Sequence, residues 1–403
     1  METSQRSAEY IFQGTMYFFR REKILCRYQF ALKDAVDPAL LQRALTAALE
    51  SAPYYAVQLV QEKKESWLEP NPNPCLVYRG SAMRNIPEET NGYLFSISCE
   101  GDTVHFDWYH FLMDGHGVSP LFTRILELYC NLRYGTAFAN PPIPSSPAYD
   151  IEKLMADYPE PTGGEALQKD VLQTYEGALR RTRVRITKQS LVEKALANSA
   201  KPVSTLMALL CLAMRDYFGK EEIQYSYSAD TRDVAGVPNA LYNCVCSFQH
   251  EAHLHPDTVL SDFVAEVDAG IRADLVPDVK RRRMAEQMGW VYKVDRQKAP
   301  LRIKQRVFQM GEYISGVPAD FWLSYLGNPL MPATPELEQY IRDFGVWVPP
   351  DGASMGVEAA SLNGQIILCI HNKAPIPGLA QTIRNAFEKE GITVQEAEDM
   401  DRN

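Results

Sequence analysis

Residues His110 to Gly117 read His-Phe-Leu-Met-Asp-Gly-His-Gly. An H-x-x-x-D-G spacing can set one imidazole at the mouth of a strand with a carboxylate folded back beside it. A histidine so placed is a general base, because its ordinary pKa lies near neutral pH and it can take a proton from a hydroxyl or an amine. The same residues also fit a plainer structure, with Asp114-Gly115 a tight turn and His110 a strand-end residue bonded to a carbonyl. The flanking segments favour the chemical reading. Upstream, Thr103 to Tyr109 alternates Val104, Phe106 and Trp108 against His105, Asp107 and Tyr109, the period of a strand. Downstream, Val118, Leu121, Phe122, Ile125, Leu126 and Tyr129 recur at helical spacing, and Ser119-Pro120 marks the expected helix start.

Other groupings offer weaker chemistry. Cys244 and Cys246, with His250, His253 and His255 nearby, lack the carboxylates and spacing of a metal site, and no metal is expected. Lys280-Arg281-Arg282-Arg283 could meet phosphates, but such a run also describes a solvated helix face. No Walker or dinucleotide fingerprint occurs, which leaves nucleotide hydrolysis and hydride transfer without support. No permanently bound cofactor is expected.

The elements that must position the motif follow from length and pattern. At 403 residues the chain exceeds one ordinary core, so two domains are expected. Hydrophobic residues make up 46% and charged residues 23%, the balance of a folded soluble protein. A net charge of −10 argues against a nucleic-acid partner. Met1 to Glu9 carries no apolar core, so no signal peptide is expected. The longest apolar stretch, Val203 to Met214, is too short to span a bilayer. Eight cysteines without a C-x-x-C pair suggest free thiols in a reducing compartment, hence a cytoplasmic location.

The pattern predicts strands at Tyr10–Phe19 and Ile24–Leu32, then a helix capped by Asp37 with Pro38 in its first turn. Residues 1–140 form the first unit, the proline-rich stretch 141–165 a crossover, and 166–403 the second. In the second unit helices are expected at Ala166–Leu179, up to Ala197, from Ser204 to Phe218, and at Leu260–Asp274, Lys280–Tyr292 and Leu301–Met310. Strands are expected at Ile223–Ser228, Val245–His250, Phe321–Leu326 and Gly345–Val348. A hairpin turns on Asn363-Gly364. Each half thus reads as a mixed α/β layer.

With these residues in view, the chain resembles the coenzyme-A-dependent acyltransferase superfamily: chloramphenicol acetyltransferase, alcohol acyltransferases and condensation domains. The resemblance rests on His110-x-x-x-Asp114-Gly115, on Ser324-Tyr325-Leu326-Gly327, which is similar to an S-N-L-G strand, and on Asp343-Phe344-Gly345-Val346-Trp347, which is similar to a D-F-G-W-G box. The opening Val36-Asp37-x-x-x-Leu41 followed by Pro53 fits as well. Two departures stand out: Tyr109 replaces the first His of H-H-x-x-x-D-G, and Val346-Trp347 replaces Trp-Gly.

The resemblance implies two α/β halves enclosing a tunnel, with acyl transfer from an acyl-CoA thioester to a small alcohol or amine. His110 would be the base, and Ser324 would donate to the oxyanion; a serine simply bonded to backbone fits its strand equally well. Asp114 would hold the loop and pair with a basic residue of the second half, best matched by Arg232, ahead of a strand containing Asn243. Gly115 and Gly117 would allow backbone geometry that a side chain blocks. Asp343 would be structural, and His116, pointing away from His110, would shape the entrance. A carrier-protein thioester as donor and a non-catalytic binding protein of the same fold are the alternatives. Intact His110, Asp114 and Gly115 speak against the latter.

Overall fold

The computed structural model describes residues 8–20, 23–159, 180–315, 319–332, 334–350, 353–372 and 377–400. The chain opens with α1 (Ala8–Phe19), β1 (Leu25–Leu32) and α2 (Pro38–Glu50), and a turn of 3-10 helix then leads to the hairpin β2 (Val57–Gln61) and β3 (Ser66–Pro70). Next come β4 (Val77–Arg79), β5 (Phe95–Glu100), β6 (Thr103–Tyr109), the long α3 (Gly115–Tyr134) and α4 (Ile151–Asp157). The next described elements are β7 (Arg180–Thr187), α5 (Lys188–Ala197), α6 (Pro202–Phe218), β8 (Glu222–Asp230), α7 (Arg232–Ala235) and β9 (Val245–His253). Helices α8 (Leu260–Asp274), α9 (Pro277–Asp295) and α10 (Leu301–Ser315) precede β10 (Ala319–Gly327), α11 (Pro335–Glu338) and β11 (Ile341–Trp347). The chain closes with β12 (Ala353–Leu362), β13 (Gln365–Asn372), α12 (Leu379–Lys389) and β14 (Val394–Met400).

Two large sheets organise these elements, one in the order β11-β1-β6-β5-β4, the other β14-β7-β13-β12-β10-β8-β9. The fold is mixed α/β, as the pattern predicts. In the second sheet the alternation of side chains separates two environments. Leu323, Met355, Val357, Ile366, Leu368 and Ile370 join α6, α8 and α12 in one core. The intervening residues face the first half, where Ala360, Leu362, Ile367 and Cys369 join its core. The Asn363-Gly364 turn has φ of 49° and 73°, the left-handed pair that a two-residue hairpin loop needs.

Several expectations change. Tyr10–Phe19 is a helix, not a strand: Tyr17, Phe18 and Phe19 are all buried, and a Cβ on Gly14 would come within 2.1 Å of the Phe111 carbonyl oxygen. Such all-round burial has no period-2 requirement, so aromatic content misled. Helix α3 begins at Gly115 rather than at Ser119-Pro120, because the Asp114 carboxylate caps it by accepting from Gly117 N at 2.7 Å. Ser204 is not a cap; it lies within α6 and donates to Asp268 at 2.7 Å, while Pro202 opens the helix. The expected Ala166–Leu179 helix lies outside the described residues. Asp37 does cap α2, accepting from Ala39 N at 2.9 Å.

The division at residue 166 is crossed by β11, which pairs antiparallel with β1 in the first sheet, Phe344 opposite Phe30 and Val346 opposite Tyr28. Phe344 packs its ring 4.8 Å from that of Phe30, so burial in the first core draws the strand across. Asp343 accepts from Arg185 at 2.9 Å and from Arg183, both on β7, tying this strand to the second sheet. Among the described residues no single helix is long and apolar enough to cross a membrane.

Candidate active site

Strand β6 ends at Tyr109 and delivers His110 to the seam between the sheets. The His110 backbone N–H donates to Ile24 O at 2.9 Å, and its ring stacks on Tyr17 with centroids 4.1 Å apart. Asn243 reaches over from the second half and donates from Nδ2 to His110 O at 2.7 Å. Asn243 lies just before β9 rather than within a strand, and from there it fixes the backbone of the motif. The His110 Nδ1 atom is buried without a partner of full hydrogen-bond geometry, although its own carbonyl and Asn243 lie beside it. Burial pulls the imidazole pKa below its ordinary value, against the opposing pull of the His110 carbonyl and Asp114. The ring is therefore neutral at pH 7.

Asp114 is buried in the same seam. Its carboxylate accepts from Arg232 Nη2 at 2.8 Å, from Cys244 N at 2.8 Å and from Gly117 N at 2.7 Å. Burial pushes its pKa up, but the Arg232 charge and these hydrogen bonds outweigh that and hold it below the ordinary value. Arg232 is itself anchored by the carbonyls of Ala240 and Tyr242, each at 2.9 Å. Asp114 thus caps α3 and clamps the two halves together, and it makes no direct hydrogen bond to His110.

The glycines matter for space rather than for torsion angles. A Cβ on Gly117 would sit 2.0 Å from Leu241 O. One on Gly115 would meet Leu326 Cδ2 at 2.6 Å and Tyr28 Oη at 2.8 Å. Tyr109 turns away and donates its hydroxyl to Tyr17 O at 3.2 Å. His116 lines the cavity and lies 3.5 Å from Asp230, partly exposed.

Between the halves lies a cavity of about 450 Å³. The first half contributes Tyr17, Tyr28, Trp108 and His110 to its wall, and the second contributes Ser226, Ser247, Ser324 and Glu358. His110 and Ser324 therefore open onto one space from opposite sheets. Ser324 stands beside the Glu358 carboxyl, opposite it in the parallel register of β10 and β12. Asp343 is not part of this wall. Most of this wall escaped the sequence reading, among it Tyr17, hidden by the assignment of α1 as a strand, and Glu358, which no motif marks. A carboxylate inside the apolar Met355–Leu362 run was the signal available for the second.

Of the basic run, Lys280 pairs with Asp233 at 2.6 Å, whereas Arg283 donates to Ser247 O at 2.6 Å and also lines the cavity. His250, His253 and His255 pair with Asp274, Glu251 and Glu221, at 2.6, 2.9 and 3.2 Å. Among the described residues no cluster of three or more His, Cys, Asp or Glu side chains could hold a metal ion.

No protein-family model and no curated protein sequence matches the chain. Solved structures do. Polyketide synthase associated protein 5 from Mycobacterium tuberculosis superimposes with a TM-score of 0.62 at 17% identity, over 94% of this chain and 96% of that one. The starter condensation domain of rhizomide synthetase RzmA, solved with C8-CoA, gives 0.60 at 12% identity, over 95% and 92%. The trichothecene 15-O-acetyltransferase TRI3 from Fusarium sporotrichioides gives 0.60 at 11% identity, over 96% and 93%. The chain therefore has the two-lobed fold shared by condensation domains and coenzyme-A-dependent acyltransferases, the superfamily that its H-x-x-x-D-G motif resembles.

Proposed function

We propose that this protein transfers an acyl group from an acyl-coenzyme A thioester to a hydroxyl or amine acceptor, with His110 as general base. The observation that carries this reading is the half-buried His110 imidazole opening onto a cavity walled by both halves. The neutral ring keeps one nitrogen lone pair free for a proton, and Nε2 is taken as that atom because Nδ1 is buried. Nε2 would take the acceptor's proton as its oxygen or nitrogen attacks the thioester carbonyl, and would return it to the departing thiolate. Ser324, on the facing wall, would donate to the oxyanion. A cleft between the halves, once filled by donor and acceptor, would limit the access of bulk water to the thioester. Coenzyme A is favoured as donor because a structure of the same fold was solved with C8-CoA; a carrier-protein thioester presents the same carbonyl and leaving sulfur. Asp114 and Arg232 would keep the motif loop in place and take no proton. The test is thiol release from acetyl-coenzyme A against a panel of alcohols and amines, with the acylated product identified by mass. Release that depends on an acceptor is expected; no release with any acceptor or acyl length would refute the reading.

A further inference from the structure

Glu358 is a cavity-wall carboxyl that the proposed chemistry leaves unused; Asp230, also in the wall, pairs with Arg232. Glu358 is 5% exposed and stands on β12 opposite Ser324 on β10. The Ser324 hydroxyl lies beside its carboxyl in the same cavity wall, and Oε2 is buried without a hydrogen-bond partner. The groups around it are Cys26 and Tyr28 on β1, Tyr17 on α1 and Cys369 on β13, each of which senses its charge. No cation among the described residues pairs with it. Burial alone therefore pushes its pKa up, from 4.5 to about 8.

A serine hydroxyl has a single proton to give. Were Glu358 ionised, that proton would go to the carboxylate, the stronger acceptor, and none would remain for an oxyanion. With a neutral Glu358 the polarity reverses. We propose that Glu358 is a positioning residue: as a neutral acid it donates to Ser324 Oγ, and this frees the Ser324 proton for the thioester carbonyl oxygen as it becomes an oxyanion. The inference rests on the acyl-transfer reading above and adds an ionisable control to its oxyanion donor.

Kinetics and folding test it separately. With an alcohol acceptor, which does not titrate in this range, wild-type kcat should fall above about pH 8, by up to roughly a hundredfold. Glu358→Gln keeps an N–H donor toward Ser324 at every pH and should lose this alkaline limb. Ser324→Ala should be slower by roughly a hundredfold at neutral pH and should also lack the limb. The Cys26, Cys369, Tyr17 and Tyr28 groups stay protonated here, since burial pushes each of them up as well, Cys369 to about 11. An unchanged alkaline limb in Glu358→Gln would overturn the proposal.

The second readout needs no activity. The folded pKa of Glu358 lies above its ordinary 4.5, so the wild type loses stability as pH rises from 4.5 to about 8. The Tm advantage of Glu358→Gln should grow over that interval, and an infrared band of a buried protonated carboxyl in the wild type should titrate away near its upper end. A Tm difference that does not change with pH, with no such band, would overturn the proposal even if acyl transfer is demonstrated. Absence of acyl transfer with an intact titration would instead refute the function on which it rests.

Discussion

At the residue scale, His110 and Asp114 show how one buried seam drives two titratable groups to opposite charge states. His110 is neutral because burial disfavours its cation, whereas Asp114 stays ionised because Arg232 and two backbone N–H groups compensate its burial. Since the base pKa lies below 6.5, the acid limb of kcat should fall below pH 6.5, and activity should hold from there to neutrality. A limb centred above 6.5, with the chemical step rate-limiting, would contradict the burial argument. Asp114→Asn should behave differently. It removes the buried carboxylate partner of Arg232 and leaves only the half-exposed Asp230, 3.2 Å away, so denaturant unfolding should show a loss of stability of up to about 3–5 kcal/mol alongside lowered activity. The pH dependence has a fixed sign. The folded pKa of Asp114 is below its ordinary 3.8, so its stabilisation is complete above 3.8 and is lost as pH falls through the folded value. Acid unfolding curves of the wild type and the Asn variant should therefore converge at low pH.

At the scale of elements, the motif works because three segments meet without intervening side chains. The α3 start passes so close to the 240–243 segment that Gly117→Ala would drive a Cβ into a carbonyl oxygen at 2.0 Å. Backbone cannot yield cheaply, so this substitution should cost roughly 1–3 kcal/mol by denaturant unfolding. An unchanged midpoint would show that the contact relaxes. The same meeting explains what the sequence could reveal. The β6–loop–α3 unit, the Asp37 cap and the Asn363-Gly364 hairpin were legible because period, capping and turn chemistry are local. Pairing of Asp114 with Arg232 came from the resemblance, and the structure places the two 2.8 Å apart. Helix α1 and residues Tyr17 and Glu358 were not legible. Their burial comes from partners distant in the chain, and no local period records it.

At the scale of the whole molecule, the two sheets are joined as much by β11 as by the site. A strand whose neighbours in sequence build the second sheet is inserted beside β1, and Asp343 ties it back to Arg183 and Arg185 on β7. Asp343→Asn should lower the thermal midpoint while leaving the KM for the acyl donor close to wild type, because Asp343 is not in the cavity wall; a changed KM with an unchanged midpoint would place it in substrate binding instead. The central claim is that a cavity between the halves exists to bring a thioester and an acceptor to His110. Its most direct test is acceptor-dependent thiol release from acetyl-coenzyme A by His110→Ala, measured beside its thermal unfolding. The expected result is a loss of roughly a hundred- to ten-thousand-fold in kcat with a cooperative, near wild-type transition. Near-normal turnover by the folded variant would contradict it.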